Sequence, residues 1–166
     1  MPTPLALPVL LLSVALVTIG CSDPRAITSF APPAAEHDTH RTSRLDPDLH
    51  DAVRAAMRDA RADGVEMRIT SGWRSREHQQ RLLDEAIERY GGREEALRLV
   101  ATPDTSAHVT GDAVDIGPAE ADHWLIEHGA AYGLCQVFAN EIWHFELATE
   151  PGGTCPPLLP DGSYRG

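Results

Sequence analysis

An α+β domain is the fold class this chain predicts, and three observations carry it. Helical stretches with one apolar face come first, short β-prone runs fall mostly later, and the connections between them are short. The chain has 166 residues. That is one domain plus appendages, with the part from about Arg44 onward large enough to bury its own core.

Asp46-Pro47 starts the first helix, which runs to about Arg61 with Leu49, Val53, Ala56, Met57 and Ala60 on one face and Gly64 closing it. Met67 to Thr70 is β-prone and ends at Ser71-Gly72, placing Trp73 and Arg74 at a sheet edge just before Ser75, a good N-cap. A second helix follows from Ser75 to Tyr90, with Leu82, Leu83, Ala86 and Ile87 toward the core and Gly91-Gly92 as its stop. Arg93 to Val100 reads as a short third helix. Ala113 to Ile116 reads as a strand, and Glu120 to Tyr132 as a helix carrying Trp124, Leu125 and Ile126. Leu134 to Val137 and Ile142 to Leu147 read as two more strands. Trp and Leu positions are expected in the core, with Trp73 the exception because it adjoins Arg74.

The first 43 residues differ in character. Leu5 to Ile19 is almost wholly apolar and uncharged, short for a membrane span but suited to a signal-peptide core, which assigns residues 1–20 to a signal peptide. Gly20-Cys21 follows and resembles a bacterial lipoprotein processing site, in which Cys21 becomes the lipidated first residue of the mature chain. Secretion with cleavage nearby is the competing reading, since Thr18 stands where an aliphatic residue is usual and no Lys or Arg precedes the core. Residues 21–43, with Pro24, Pro32 and Pro33, lack apolar periodicity and read as a flexible tether. The domain proper is then 44–166, exported and either lipid-anchored on the outer face of the cytoplasmic membrane or free in the wall space.

Charge limits the partners, and the cysteines agree with export. A formal net charge of −11, with every one of the 14 basic residues an Arg, argues against nucleic acid or an anionic membrane surface as the main partner. With Cys21 lipidated, Cys135 and Cys155 remain as an even pair in an oxidising compartment. A disulfide between them would pin the Pro- and Gly-rich tail, residues 150–166, against the strand-like 134–137 run. No C-x-x-C spacing favours them as metal ligands.

Chemistry concentrates in two segments, Ser106-Ala107-His108-Val109-Thr110-Gly111-Asp112-Ala113-Val114-Asp115 and Glu141-Ile142-Trp143-His144. A hydrolytic zinc centre uses three protein ligands, leaves a fourth position for water, and needs a separate carboxylate to take that water's proton. His108, Asp115 and His144 suit the ligand roles for one Zn2+ per chain, and Glu141 suits the base. Period-two alternation puts Ile142, His144 and Glu146 on one strand face, so Glu141, of opposite parity, needs a strand end, turn or bulge to approach the same ion. Gly111 supplies backbone freedom between two ligands. Asp112 reads as a solvated charge, and His37, His40, His50, His78, His123 and His128 as surface or satisfied core residues.

The pattern S-x-H-x-x-G-x-A-x-D, followed about 25 residues on by E-x-W-H and preceded by Ser71-Gly72-Trp73-Arg74-Ser75 with Gln79, resembles the zinc D-alanyl-D-alanine carboxypeptidases and dipeptidases that trim peptidoglycan stems, including the VanY-type enzymes. The three blocks span Ser71 to Phe145 in the family's order. The resemblance implies a small antiparallel sheet with flanking helices, shared with lysostaphin-type peptidases and the hedgehog signalling domain. It also implies that Arg74 holds a substrate carboxylate or the developing oxyanion, with Ser106 and Gln79 as further substrate contacts. A surface salt bridge is the alternative for Arg74. The expected activity is hydrolysis of the terminal D-Ala-D-Ala bond of peptidoglycan stem peptides by a monomer. L,D-carboxypeptidase, D,D-dipeptidase and wall endopeptidase activities would keep the same centre, and a zinc-containing wall-binding module without turnover is the alternative of another class.

Overall fold

The computed structural model describes residues 42–165. The expected signal peptide, most of the tether, Cys21, His37 and His40 lie outside them. Helix α1 covers Pro47–Ala62, and Asp46 caps it by accepting from the backbone N–H of Asp48 and Leu49. Its Leu49, Val53, Ala56 and Ala60 are buried, and Met57 packs at the edge of the same core. Strand β1 (Arg68–Ser71) leads through the 72–74 turn into α2 (Arg76–Tyr90), where the Ser75 side chain caps the His78 N–H and Gly91 closes the helix at φ 80°. The next helix, α3, is shorter than expected, Arg93–Leu97, because the chain turns at 98–100 to bury Ala96 against Leu83 and Ala86.

The stretch between the two expected ligands His108 and Asp115 begins in one helical turn, α4 (Ala107–Thr110), closed by Gly111 at φ 91°. Glycine is required there for two reasons. The backbone is left-handed, and a Cβ would collide with the carbonyl oxygen of Arg44; Asp46, two residues on, donates its N–H to Gly111 O at 2.9 Å. Strand β2 (Ala113–Gly117) is buried along its length. Helix α5 (Ala119–His128) passes into a 3-10 turn (Gly129–Tyr132), so the single helix expected to Tyr132 is two pieces. Trp124 and Leu125 are buried, whereas Ile126 is exposed. Strands β3 (Leu134–Gln136) and β4 (His144–Leu147) follow, and a final 3-10 turn spans Gly162–Arg165.

The four strands form one antiparallel sheet in the order β1-β2-β4-β3. Helices α1 and α5 cover one face, burying Leu49, Val53, Trp124 and Leu125 with Val114, Ile116 and Phe145 of the sheet. The register decides the site. Asp115 of β2 pairs with His144 of β4 on one side and with Ser71 of β1 on the other, so residues distant in sequence meet at one end of the sheet. Cys135 and Cys155 form a disulfide, with Cα atoms 5.6 Å apart, that ties the tail to β3.

Candidate active site

Three buried side chains converge where the sequence motifs point. His108 Nε2 lies 3.2 Å and His144 Nδ1 3.3 Å from the same oxygen, Asp115 Oδ1. One donor atom from each of the three residues falls within a group no wider than 4.8 Å. His108 is held by α4, Asp115 by the buried β2 strand and His144 by the central strand β4.

Partners on the far side of each ring determine what the near side offers. His108 Nδ1 is 2.8 Å from the carbonyl oxygen of Gly72, which can only accept, so the proton sits on Nδ1 and the Nε2 lone pair faces Asp115. Burial keeps this imidazole neutral despite the pull of Asp115. Two lone pairs then confront each other at 3.2 Å. That arrangement calls for a cation between them, and the mixed nitrogen and oxygen donor set fits zinc. His144 Nε2 is 2.7 Å from Glu146 Oε1, which leaves Nδ1 turned toward the centre, the carboxylate–histidine arrangement usual behind a metal ligand. Burial alone would lower the His144 pKa. The carboxylates of Asp115 and Glu146 outweigh it and push His144 up to about 9. Asp115 itself faces a burial penalty that His144 and Arg74 overcome, holding it well below the carboxylate range.

Glu141 sits in the turn before β4, where its carboxylate comes within 3.8 Å of His144 Nδ1 without joining the three-donor group. The strand expected from Ile142 starts only at His144, and this shortening lets residues of opposite parity face one centre. Burial raises the Glu141 pKa, against the influence of His144.

Arg74 lines the same cleft with a side chain 20% exposed. Its Nη2 bonds Asp115 Oδ2 at 2.7 Å, its Nε bonds Ser71 Oγ at 3.0 Å and its Nη1 bonds Gln79 Oε1 at 3.3 Å. Arg74 is therefore not a surface salt bridge. A guanidinium has five N–H donors, so two remain for a ligand. Gln79 is buried, and its amide also donates to Ala101 O at 2.8 Å, which makes it the support of Arg74. Ser106 stands at the N-terminal cap of α4, makes no capping bond and lines the cleft. Leu82, Leu99, Val100 and Ala101 form an apolar part of the wall.

Two tryptophans exchange the expected places. Trp73 is half-buried behind the site, donating to Val109 O at 3.1 Å and lying beneath the Arg44 guanidinium at 4.3 Å. Trp143, expected in the core, is 43% exposed at the cleft. Its neighbour His144 takes the inward position, and the turn before β4 leaves Trp143 outward. Asp112 is exposed, in keeping with a solvated charge. Two participants were not among the expected site residues, Glu146 and Arg165. Glu146 shares a strand face with His144 two residues away, a signal available in the sequence. Arg165 gave none, because its partner is brought to it only by the path of the tail.

The family described as VanY, D-alanyl-D-alanine carboxypeptidase, matches residues 42–151. The chain belongs to this family. A D-alanyl-D-alanine carboxypeptidase of Enterococcus faecalis (strain ATCC 700802 / V583) is 33% identical over 127 residues, which cover 61% of this chain and 46% of that protein. The chain thus spans about half the length of that relative. Among solved structures, a mutant of the vancomycin-resistance D,D-pentapeptidase VanY from a VanB-type cassette, in complex with Zn(II), superposes with a TM-score of 0.58 at 29% identity, covering 61% of this chain and 71% of the other. VanYB in complex with D-alanine-D-alanine gives a TM-score of 0.58 at 29% identity, covering 61% and 70%. Family membership agrees with the antiparallel sheet, the flanking helices and the converging His, Asp and His donors.

Proposed function

We propose that this family member is a zinc-dependent D,D-carboxypeptidase that removes the terminal D-alanine from peptidoglycan stem peptides. The observation carrying this reading is the meeting of His108 Nε2 and His144 Nδ1 at Asp115 Oδ1, with Glu141 beside them but outside the donor group. His108, Asp115 and His144 hold the ion. Bound zinc supplies Lewis acidity to the scissile carbonyl and makes water a stronger acid.

The chain's own residues perform the remaining tasks. Glu141 accepts a proton from the water whose oxygen attacks the carbonyl carbon, then delivers it to the amide nitrogen as the carbon–nitrogen bond breaks, so that free D-alanine leaves as an amine. Arg74, with two N–H donors to spare, binds the terminal carboxylate or the oxyanion. Ser106 adds a hydroxyl to the same wall. The apolar stretch of Leu82, Val100 and Ala101 accommodates the alanine methyl groups.

The cystine between Cys135 and Cys155 supports an exported protein, in which the tether and a lipid on Cys21 would hold the enzyme near the wall. Mass spectrometry after incubating the zinc-loaded protein with a defined stem pentapeptide tests the reading. Loss of one alanine from the D-Ala-D-Ala end is expected. Loss of a dipeptide, or cleavage of only the tetrapeptide, would assign a different bond to the same centre. Binding without any cleavage would favour the wall-binding module.

A further inference from the structure

The family match ends at residue 151, yet the chain beyond it returns to the site. Cys155 is tied to Cys135 of β3. Leu159 then bridges to Phe138, accepting from Ala139 N at 2.8 Å and donating to Val137 O at 2.9 Å. Gly162 N reaches Arg98 O at 3.3 Å, and the closing 3-10 turn brings Arg165 over the Phe138 ring, 5.2 Å from its centroid. There the guanidinium meets Glu146 fork to fork, with Nη1 to Oε1 and Nη2 to Oε2 both 2.7 Å. Glu146 is only 8% exposed, and its Oε1 also faces His144 Nε2 at 2.7 Å.

We infer that Arg165 is a positioning residue for the metal centre, acting through Glu146 on His144. The two parallel bonds fix the plane of the Glu146 carboxylate. That plane keeps Oε1 where it accepts the Nε2 proton of His144, so the ring presents its Nδ1 lone pair to the centre with the correct tautomer and angle. Without the fork the carboxylate could rotate about its last torsion, which is broad for Glu, and His144 would lose its orienting bond. Glu146 and His144 lie within the family match, and Arg165 lies beyond it. The inference rests on the zinc reading of the site.

Two effects of Arg165 on zinc have opposite signs, which makes the test decisive. Its positive charge opposes a cation nearby, whereas its positioning of Glu146 favours one. Zinc affinity of the full mature chain is measured by competition with a chromophoric chelator for wild type, Arg165→Met, Arg165→Lys, Glu146→Gln and the Arg165→Met/Glu146→Gln double variant. Circular dichroism of the metal-free proteins checks the fold. With positioning dominant, Arg165→Met weakens zinc by about tenfold, the lower end of the range for lost support of a ligand. Arg165→Lys, which keeps the charge and the aliphatic stem over Phe138 but not the fork, weakens it similarly. In the Glu146→Gln background, removing Arg165 adds less than about twofold, because its route to His144 is already gone. Unchanged or tighter zinc binding in both Arg165 variants would overturn the inference while leaving the zinc site intact, as would full additivity of the double variant. Failure of the wild type to bind zinc would instead overturn the metal reading, and the positioning role with it.

Discussion

Glu141→Gln separates chemistry from metal binding, because the side chain lies beside the donor group and outside it. The substitution keeps the size of the side chain and removes its charge and basicity. Its effect on zinc is a lost attraction for the cation rather than a lost ligand. Saturating zinc removes that loss from the measurement. Loss of the general base costs about 100-fold to 10,000-fold in turnover, or about 3 to 5 kcal/mol in the barrier. Release of D-alanine from a stem pentapeptide, followed at saturating zinc with metal content verified on the same sample, should therefore fall by at least about 100-fold. Turnover within a few-fold of wild type in a zinc-replete Glu141→Gln protein would refute the assignment of the base.

Zinc uptake by the metal-free protein should release about one proton near neutral pH, because His144, pushed up to about 9 by Asp115 and Glu146, must give up its proton to bind. Affinity then rises with pH up to about 9. Calorimetry in buffers of different ionisation enthalpy counts the protons, and His108→Ala or His144→Ala should abolish most binding. Arg74→Lys should lower kcat/KM by about tenfold or more with zinc retained, since one ammonium cannot replace bonds to Asp115, Gln79 and Ser71 together with two free donors. Wild-type kinetics in that variant would remove Arg74 from the mechanism. The cystine closes a loop of 20 residues, so replacing Cys135 and Cys155 by Ala should cost about 3 kcal/mol in the chain-entropy estimate. In a domain of roughly 120 residues that is about 12 °C in Tm by calorimetry, and an unchanged Tm would count against it.

Much of the fold and most of the candidate site are legible in the sequence alone, for a physical reason. Helix caps such as Asp46 and Ser75, the apolar face of α1 and the turn at Gly91 are written within three or four residues of where they act. The candidate donors and Glu141 are legible because a hydrolytic zinc centre restricts both residue type and number. The cysteine pair is legible by count. None of these depends on knowing which strand lies beside which.

What the tertiary structure decided are the contacts whose partners are remote in sequence. The register that sets Asp115 opposite both His144 and Ser71 turned a set of separated residues into one centre. It also assigned Gln79 to Arg74, placed Trp73 behind the site and Trp143 at the cleft, and halted β4 at His144 so that Glu141 could turn inward. Arg165 meets Glu146, 19 residues earlier, only because the cystine and the bridge at Leu159 carry the tail back across the sheet end. Local chemistry encodes what a residue can do. The pairing of distant strands, settled by burial of the whole core, determines which groups it can do it with.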